Sequence, residues 1–456
     1  LAAHGRLTGD PSMASLRAFV DWCEEPDRPA DRAWLVWAAW LLPPATLGLI
    51  AAHLAGAVDR AWWLLPLAAA LVVTALTGSR LESVMDRAET REARFGRFAR
   101  MLELLAGLSD RGGLLGRLRD AVVGEDGDRA ALPAADELHR LDRILGYAGV
   151  RHNDLVHLPF QLLLLWDVHV VRALDRWRNR TGHRVAGWLD AVGRSEALAA
   201  LAVLQHDHPG WTLPEIDPAS DHVDARGLEH PLLPTERSVP NDVTVGPPGT
   251  FLLVTGSNMS GKSTLLRAVG LAVVLARAGG PVPAKHLRTP PLRVHTSMRV
   301  EDSIARSVST YMAELERIRD IVQAARSVAS GADPGDPEGS PRLLYLLDEP
   351  LQGTNEAERR EALRTVIRHF LRAGSIGAVA THDLRLHGVD DLAEAARPVH
   401  FRGNVRRGGE RPTLSFDYTL RDGPARSTNA LELLEMVGLG PNSDPGPGGS
   451  QNSDPS

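Results

Sequence analysis

Cysteine is almost missing from this sequence of 456 residues: Cys23 is the only one. An intrachain disulfide is therefore excluded, and a reducing compartment fits. Lysine is nearly as scarce. Only Lys262 and Lys285 occur in a Lys+Arg total of 51, so arginine carries the positive charge. Neither sign dominates. The formal net charge of −6 gives no global basic field, and any nucleic-acid contact must be local. Charge itself is missing from two stretches. Ala33 to Val58 runs 26 residues with His53 as its only ionisable side chain, and after Asp59-Arg60 the run from Ala61 to Ser79 adds another 19. Each is long enough to cross a hydrocarbon core of ~30 Å. Trp34, Trp37, Trp40, Trp62 and Trp63 lie near the segment ends, as interfacial aromatics do.

The pattern predicts a transmembrane helical hairpin, 33–58 and 61–79, inside an N-terminal segment 1–80. Pro43-Pro44 would kink the first span, which membrane helices tolerate. Arg80, Arg87, Arg91, Arg94, Arg97 and Arg100 follow at once, which places both hairpin ends on the cytoplasmic side. A buried helical hairpin in a soluble protein fits the same residues. From 81 to 215 the apolar residues recur at helical spacing, which predicts a helical core or lever domain. His157–Val171, strongly apolar but interrupted by Asp167, reads as a core helix, and Trp188–Leu204 as another. His206 and His208 lack a third ligand and read as solvated loop.

Near Trp211 the texture changes to strands and turns. Apolar strands are expected at 251–254, 343–347 and 375–380, with helices at 263–278 and 356–371. That alternation implies a mostly parallel sheet flanked by helices, an α/β domain over 216–440. Ser330–Pro341 reads as a surface loop, and 441–456, rich in Pro, Gly, Ser and Asn, as a disordered tail.

The chemistry concentrates in LLVTGSNMSGKST, 252–264. Gly256, four residues, then Gly261-Lys262-Ser263 is the phosphate-loop pattern G-x-x-x-x-G-K-[ST], set between a strand and a helix as that pattern requires. Glycines let the backbone curl its N–H groups inward at an anion, and the helix start adds the positive end of its dipole. Lys262 supplies a compact ammonium to the β- and γ-phosphates, and the Ser263 hydroxyl can ligate Mg²⁺. Downstream, an apolar strand delivers Asp348 to the metal, and Glu349 stands where it can orient or deprotonate an attacking water. His382, at the end of the next strand, fits a γ-phosphate sensor.

TGSNMSGKST resembles the TGPNMxGKST loop of the MutS family of DNA mismatch-repair ATPases. STYMAEL at 309–315 is similar to that family's STFMxEM signature, DEPLQGTNEAER to its DE-x-x-x-GT segment, and ATHDL to its ATH segment. Glu229-His230-Pro231 and Pro240-Asn241-Asp242 match elements that precede the family's loop. The likeness covers about 216–440. It implies an ABC-type P-loop ATPase that uses ATP and Mg²⁺. It assigns Gly256, Ser257, Asn258, Met259, Ser260, Gly261, Lys262, Ser263 and Thr264 to the nucleotide, with Ser263 and Asp348 at the metal. Glu349, Lys262 and His382 become the catalytic set, His230 and Asn241 lie near the nucleoside, and Ser309 reaches a nucleotide held by the other subunit. A homodimer with two composite sites follows.

Departures are present. Ser257 stands for the usual Pro, Ser260 for a common Gly, and Ser307 where a Gly often precedes the signature. No F-x-E triplet occurs, so the mismatch-probing wedge of the repair enzymes is missing from this sequence. The apolar hairpin is foreign to those enzymes and is similar to a bacterial branch of MutS-like membrane proteins. The resemblance therefore implies ATP hydrolysis driving a dimer, coupled to DNA binding in mismatch repair or related processing. The other reading is a membrane-anchored mechanical ATPase acting on a protein or lipid partner. The expected location is the bacterial inner membrane, with the ATPase domain cytoplasmic.

Overall fold

The structure, a computed structural model, describes residues 11–25, 32–89, 92–109, 112–124, 132–298, 310–331, 342–352, 355–388, 392–406 and 413–425. Ser309, most of the expected loop at 330–341 and the expected tail 441–456 lie outside these residues, as do the side chains of the arginines from Arg80 to Arg97. The chain divides into two compact units, residues 1–199 and 200–456.

The first unit is helical: α1 (Pro11–Glu24), α2 (Ala33–Leu54), α3 (Leu64–Glu89), α4 (Glu92–Ala106), α5 (Gly113–Val123), α6 (Ala134–Ala148), α7 (Asp154–Leu164) and the start of α8 (Trp166–Asp207). The amphipathic stripe of α6 buries Leu138, Leu141, Leu145 and Ala148, at the three-to-four spacing of a helix face. Trp177 joins that core, and its indole N–H donates to the Glu137 carbonyl at 2.9 Å. The single helix expected over 157–171 is two helices. Leu165 turns left-handed, with φ 51° and ψ 48°. Asp167 then sits in the first turn of α8, where its N–H donates to the Gln161 side chain at 3.0 Å and its carboxylate meets His157 at 2.9 Å. A charged residue that is costly in the middle of an apolar helix is stabilised at a helix start, so the break falls there.

The apolar hairpin also departs from expectation. The first span ends at Leu54 rather than 58. It has 22 residues, about 33 Å at the helical rise, and runs through Pro43-Pro44. The second apolar stretch begins at Leu64 rather than 61, and its apolar part, Leu64–Gly78, is only the front of a longer helix that carries charge behind it. Among the described residues, α2 alone is long and apolar enough to cross a membrane. Threonines in both helices satisfy their hydroxyls within the helix. The hydroxyls of Thr46, Thr74 and Thr77 donate to the carbonyls four residues back, at Leu42, Ala70 and Val73.

The second unit carries two sheets. A four-stranded sheet has the order β1 (Glu215–Ile216), β5 (His286–Thr289), β2 (Val223–Leu228), β3 (Asn241–Val245). A six-stranded sheet has the order β10 (Thr413–Asp422), β9 (Ala396–Arg406), β4 (Phe251–Thr255), β8 (Ile376–Ala380), β7 (Arg342–Asp348), β6 (Leu292–Ser297). All neighbours in the larger sheet are parallel except the β9–β10 pair. Its strands are apolar on both faces because helices cover both. Leu252 and Val254 pack with α9 (Lys262–Arg277) on one side. Phe251 and Leu253 pack with α10 (Thr310–Ala329) and α11 (Glu356–Arg372) on the other. The expected strands and helices of this sheet fall within one or two residues of those observed.

Gly377 shows how tightly β7, β8 and α11 fit. It pairs in register with Tyr345, whose buried ring stacks on Phe370 at 4.1 Å. A methyl group on Gly377 would lie 2.4 Å from the Tyr345 carbonyl and 2.5 Å from its ring. Gly377→Ala should lower stability by about 1–3 kcal/mol through overpacking. The denaturant midpoint measures it, and an unchanged midpoint would show that the Tyr345 backbone and ring both shift to admit the methyl at little cost.

Candidate functional site at the C-terminal ends of the parallel strands

In the second unit a cavity of about 970 Å³ opens beside the loop that joins β4 to α9. It lies where the parallel strands point their carboxyl ends, the place where open α/β sheets hold ligands. The loop curls because its backbone takes left-handed values: φ is 146° at Gly256, 66° at Met259 and 109° at Gly261. Gly256 has no room for a side chain, since a Cβ there would meet Ser260 Oγ at 2.8 Å and the Phe401 carbonyl at 3.1 Å. Gly261 directly precedes α9, so the N–H groups of the first turn face the cavity. Asn258 through Thr264 all line it.

Lys262 is only 4% exposed. Its ammonium donates to the Gly256 and Ser257 carbonyls at 3.0 and 2.9 Å and meets Glu349 Oε1 at 3.3 Å. Strand β7 ends in Asp348, in register with Ala380, and the Glu349 N–H extends that pairing by bonding the Ala380 carbonyl at 2.9 Å. Both carboxylates line the cavity. Asp348 Oδ1 is buried with no hydrogen-bond partner, an orphaned acceptor of the kind a hard cation satisfies. The donor set therefore fits a divalent metal held by oxygens.

His230 lines the same cavity, and burial together with the nearby Arg267 holds its ring below the usual histidine range. Its Nδ1 accepts the Leu232 N–H at 3.2 Å, which leaves the proton of the neutral ring on Nε2. Asn241 also reaches the wall, but its amide is taken up by backbone. It donates to the carbonyls of Val239 and Tyr418 and accepts the Leu420 N–H. It thereby holds the irregular turn of β10 in which Tyr418 takes φ 51°. His382 stands apart from the cavity lining. Its Nε2 faces the Arg359 guanidinium of α11 at 3.4 Å, while neighbouring Asp383 pairs with Arg360 at 2.9 Å.

Some wall residues were not anticipated. Tyr418 and Phe401 form an aromatic side close to Gly261, and Arg237 and Arg267 add positive charge. Glu314, within the STYMAEL segment, accepts the Leu351 N–H at 2.8 Å. Burial pushes its carboxyl up, against the opposing pull of the Leu351 and Gln352 amides. The first two come from strands about 150 residues downstream of the loop, and nothing in their local sequence marks them.

Fold and cavity together define an α/β unit with a mostly parallel sheet and an anion-suited loop facing a pair of carboxylates at the strand ends. The family model of MutS domain V matches residues 252–443. The chain is 27% identical over 308 residues to the DNA mismatch repair protein MutS of Aquifex pyrophilus, covering 67% of this chain and 32% of that protein. It is 32% identical over 254 residues to the MutS of Natronomonas pharaonis, covering 55% of this chain and 27% of the relative. The figures are the same for the DNA mismatch repair protein MutS 2 of Halobacterium salinarum. Over residues 252–443 the chain is similar to domain V of the MutS family, and it spans about a third or less of the length of these relatives.

Proposed function

We propose that the second unit is an ATPase that binds ATP with Mg²⁺ and uses hydrolysis to change the state of a homodimer. One observation carries the reading: the buried Lys262, the orphaned Asp348 oxygen and Glu349 converge on a single cavity beside a left-handed glycine loop. Ser263 and Asp348 would hold Mg²⁺, whose charge offsets that of the phosphates. Lys262 and the N–H groups of 258–263 bind the β- and γ-phosphates, and the Tyr418 side of the cavity takes the nucleoside. Glu349 orients the attacking water and accepts its proton. His382, which faces Arg359, would reach the γ-phosphate by turning from that partner. Ser309 serves the nucleotide of the second subunit.

The relatives' names support DNA as the partner, in mismatch repair or related processing. The apolar α2, with Trp34, Trp37 and Trp40 at 48%, 66% and 63% exposure, supports attachment to the bacterial inner membrane with the ATPase unit cytoplasmic. One assay separates the partners. ATP turnover of the full chain is measured in detergent with branched, mismatched and plain duplex DNA at rising salt. Stimulation by one DNA form that fades with salt is expected, because phosphate contacts release counterions. Turnover indifferent to every DNA, together with a chain that stays in the membrane pellet after carbonate washing, would favour a membrane-anchored ATPase acting on a protein or lipid partner.

A further inference from the structure

The segment after Glu349 is held in an unusual shape. Glu349 has φ 46° and Leu351 φ 62°, two left-handed residues, neither of them glycine, within three positions. Such conformations persist only where surrounding contacts impose them. Leu351 is fully buried, so its N–H needs a partner within the protein. Glu314 supplies it, at 2.8 Å, and the Gln352 N–H reaches the same carboxylate. The Gln352 side chain in turn donates to Glu349 Oε2. Glu314 thus fixes the backbone on which Glu349 is mounted and the residue that holds the Glu349 side chain from behind. It is also the fifth residue of α10, the helix that follows Ser309.

We propose that Glu314 is the positioning residue of the site: it holds the 349–352 turn so that Glu349 points at Lys262, and it joins that turn to the helix whose start would meet the partner subunit's nucleotide. The role rests on the hydrolytic reading above. It adds a physical link between α10 and Glu349, so that a shift of α10 on dimer closure moves the carboxylate that orients water. Glu314 acts through backbone N–H groups and has no part in holding phosphate, which separates its effect from that of Lys262.

The test uses the full chain with Glu314→Ala, Glu314→Gln, Glu349→Gln and the double change Glu314→Ala/Glu349→Gln. Glu314→Ala should lower kcat about 100-fold, the scale of a small misplacement of a catalytic group. The ATP Kd should stay within about twofold, because ground-state binding is untouched. Glu314→Gln should recover much of the loss, since its amide oxygen still accepts the Leu351 N–H. In single-turnover assays, Glu314→Ala should cost nothing further once Glu349 is Gln, as expected for two residues acting as one unit. A residue that only stabilises the fold would add its loss on either background and lower ATP affinity in parallel, and that result overturns the proposal. Hydrogen exchange at the amides of 351–352, in the nucleotide-free protein, gives a readout without turnover. It should speed up in Glu314→Ala, and unchanged exchange overturns the clamp. Faster exchange in a protein whose wild type shows no Lys262-dependent turnover would overturn the hydrolytic reading, and the positioning role with it, while leaving the backbone clamp demonstrated.

Discussion

Lys262→Ala should abolish nucleotide binding. The ammonium is almost completely buried, and two of its three contacts are main-chain carbonyls that hold it in the mouth of the loop. Among the described residues no other lysine lines the cavity, and Arg237 and Arg267 are the other cations in its lining. Hydrogen bonds to a charged group contribute about 1.5–3 kcal/mol each, so losing those that one ammonium makes to phosphate oxygens weakens binding by two or more powers of ten. A second effect adds to the first. Without Lys262, Asp348 and Glu349 face the cavity with less compensation, which repels a polyphosphate. Titration with a fluorescent ATP analogue and the rise of the melting midpoint with ATP both measure this. Wild type should show both responses and Lys262→Ala neither. Normal binding by the variant would remove the loop from the phosphate site.

Glu349→Gln should separate binding from turnover. The amide is isosteric and can still hydrogen-bond a water, but it cannot take the water's proton. General-base losses are about 10²- to 10⁴-fold, so hydrolysis should fall by that factor while ATP still binds. With the γ-phosphate left intact, the ATP-bound protein should accumulate as a dimer, and the ADP-bound protein should associate more weakly. Sedimentation with each nucleotide reads the assembly, and a single-turnover assay reads the chemistry. Near-wild-type turnover would remove Glu349 from its role, and a monomer under every nucleotide would remove the composite site.

The parts of this site that were legible in the sequence are those whose chemistry is local. Gly256, Gly261, Lys262 and Ser263 sit within one strand–loop–helix unit, and Asp348-Glu349 end one apolar strand, so their neighbours in sequence already dictate where they point. Glu314 lay inside a recognised segment, but its task is set by Leu351, 37 residues beyond it in sequence. The partnership exists only once α10 packs beside β7. Tyr418 and Asn241 meet across a still longer interval. His382 falls at the strand end where it was expected, yet its side chain turns to Arg359, a choice of rotamer and neighbour that no sequence pattern contains. The smaller sheet was missed for another reason. Strands such as β1, with only two residues, both exposed, carry no alternation to read. In the helical unit, Asp167 was noticed as an interruption, but the helix start it marks depends on Gln161 and His157 folding back onto it.

The contact between Lys262 and Glu349 has a consequence for timing. In the structure the two are each other's counter-ion, 3.3 Å apart. On the proposed reading, an arriving phosphate must take the ammonium first, and only that exchange releases the carboxylate toward water. The sequence of events is then written into one ion pair. On that reading, the binding of the phosphate and the freeing of the base are a single event.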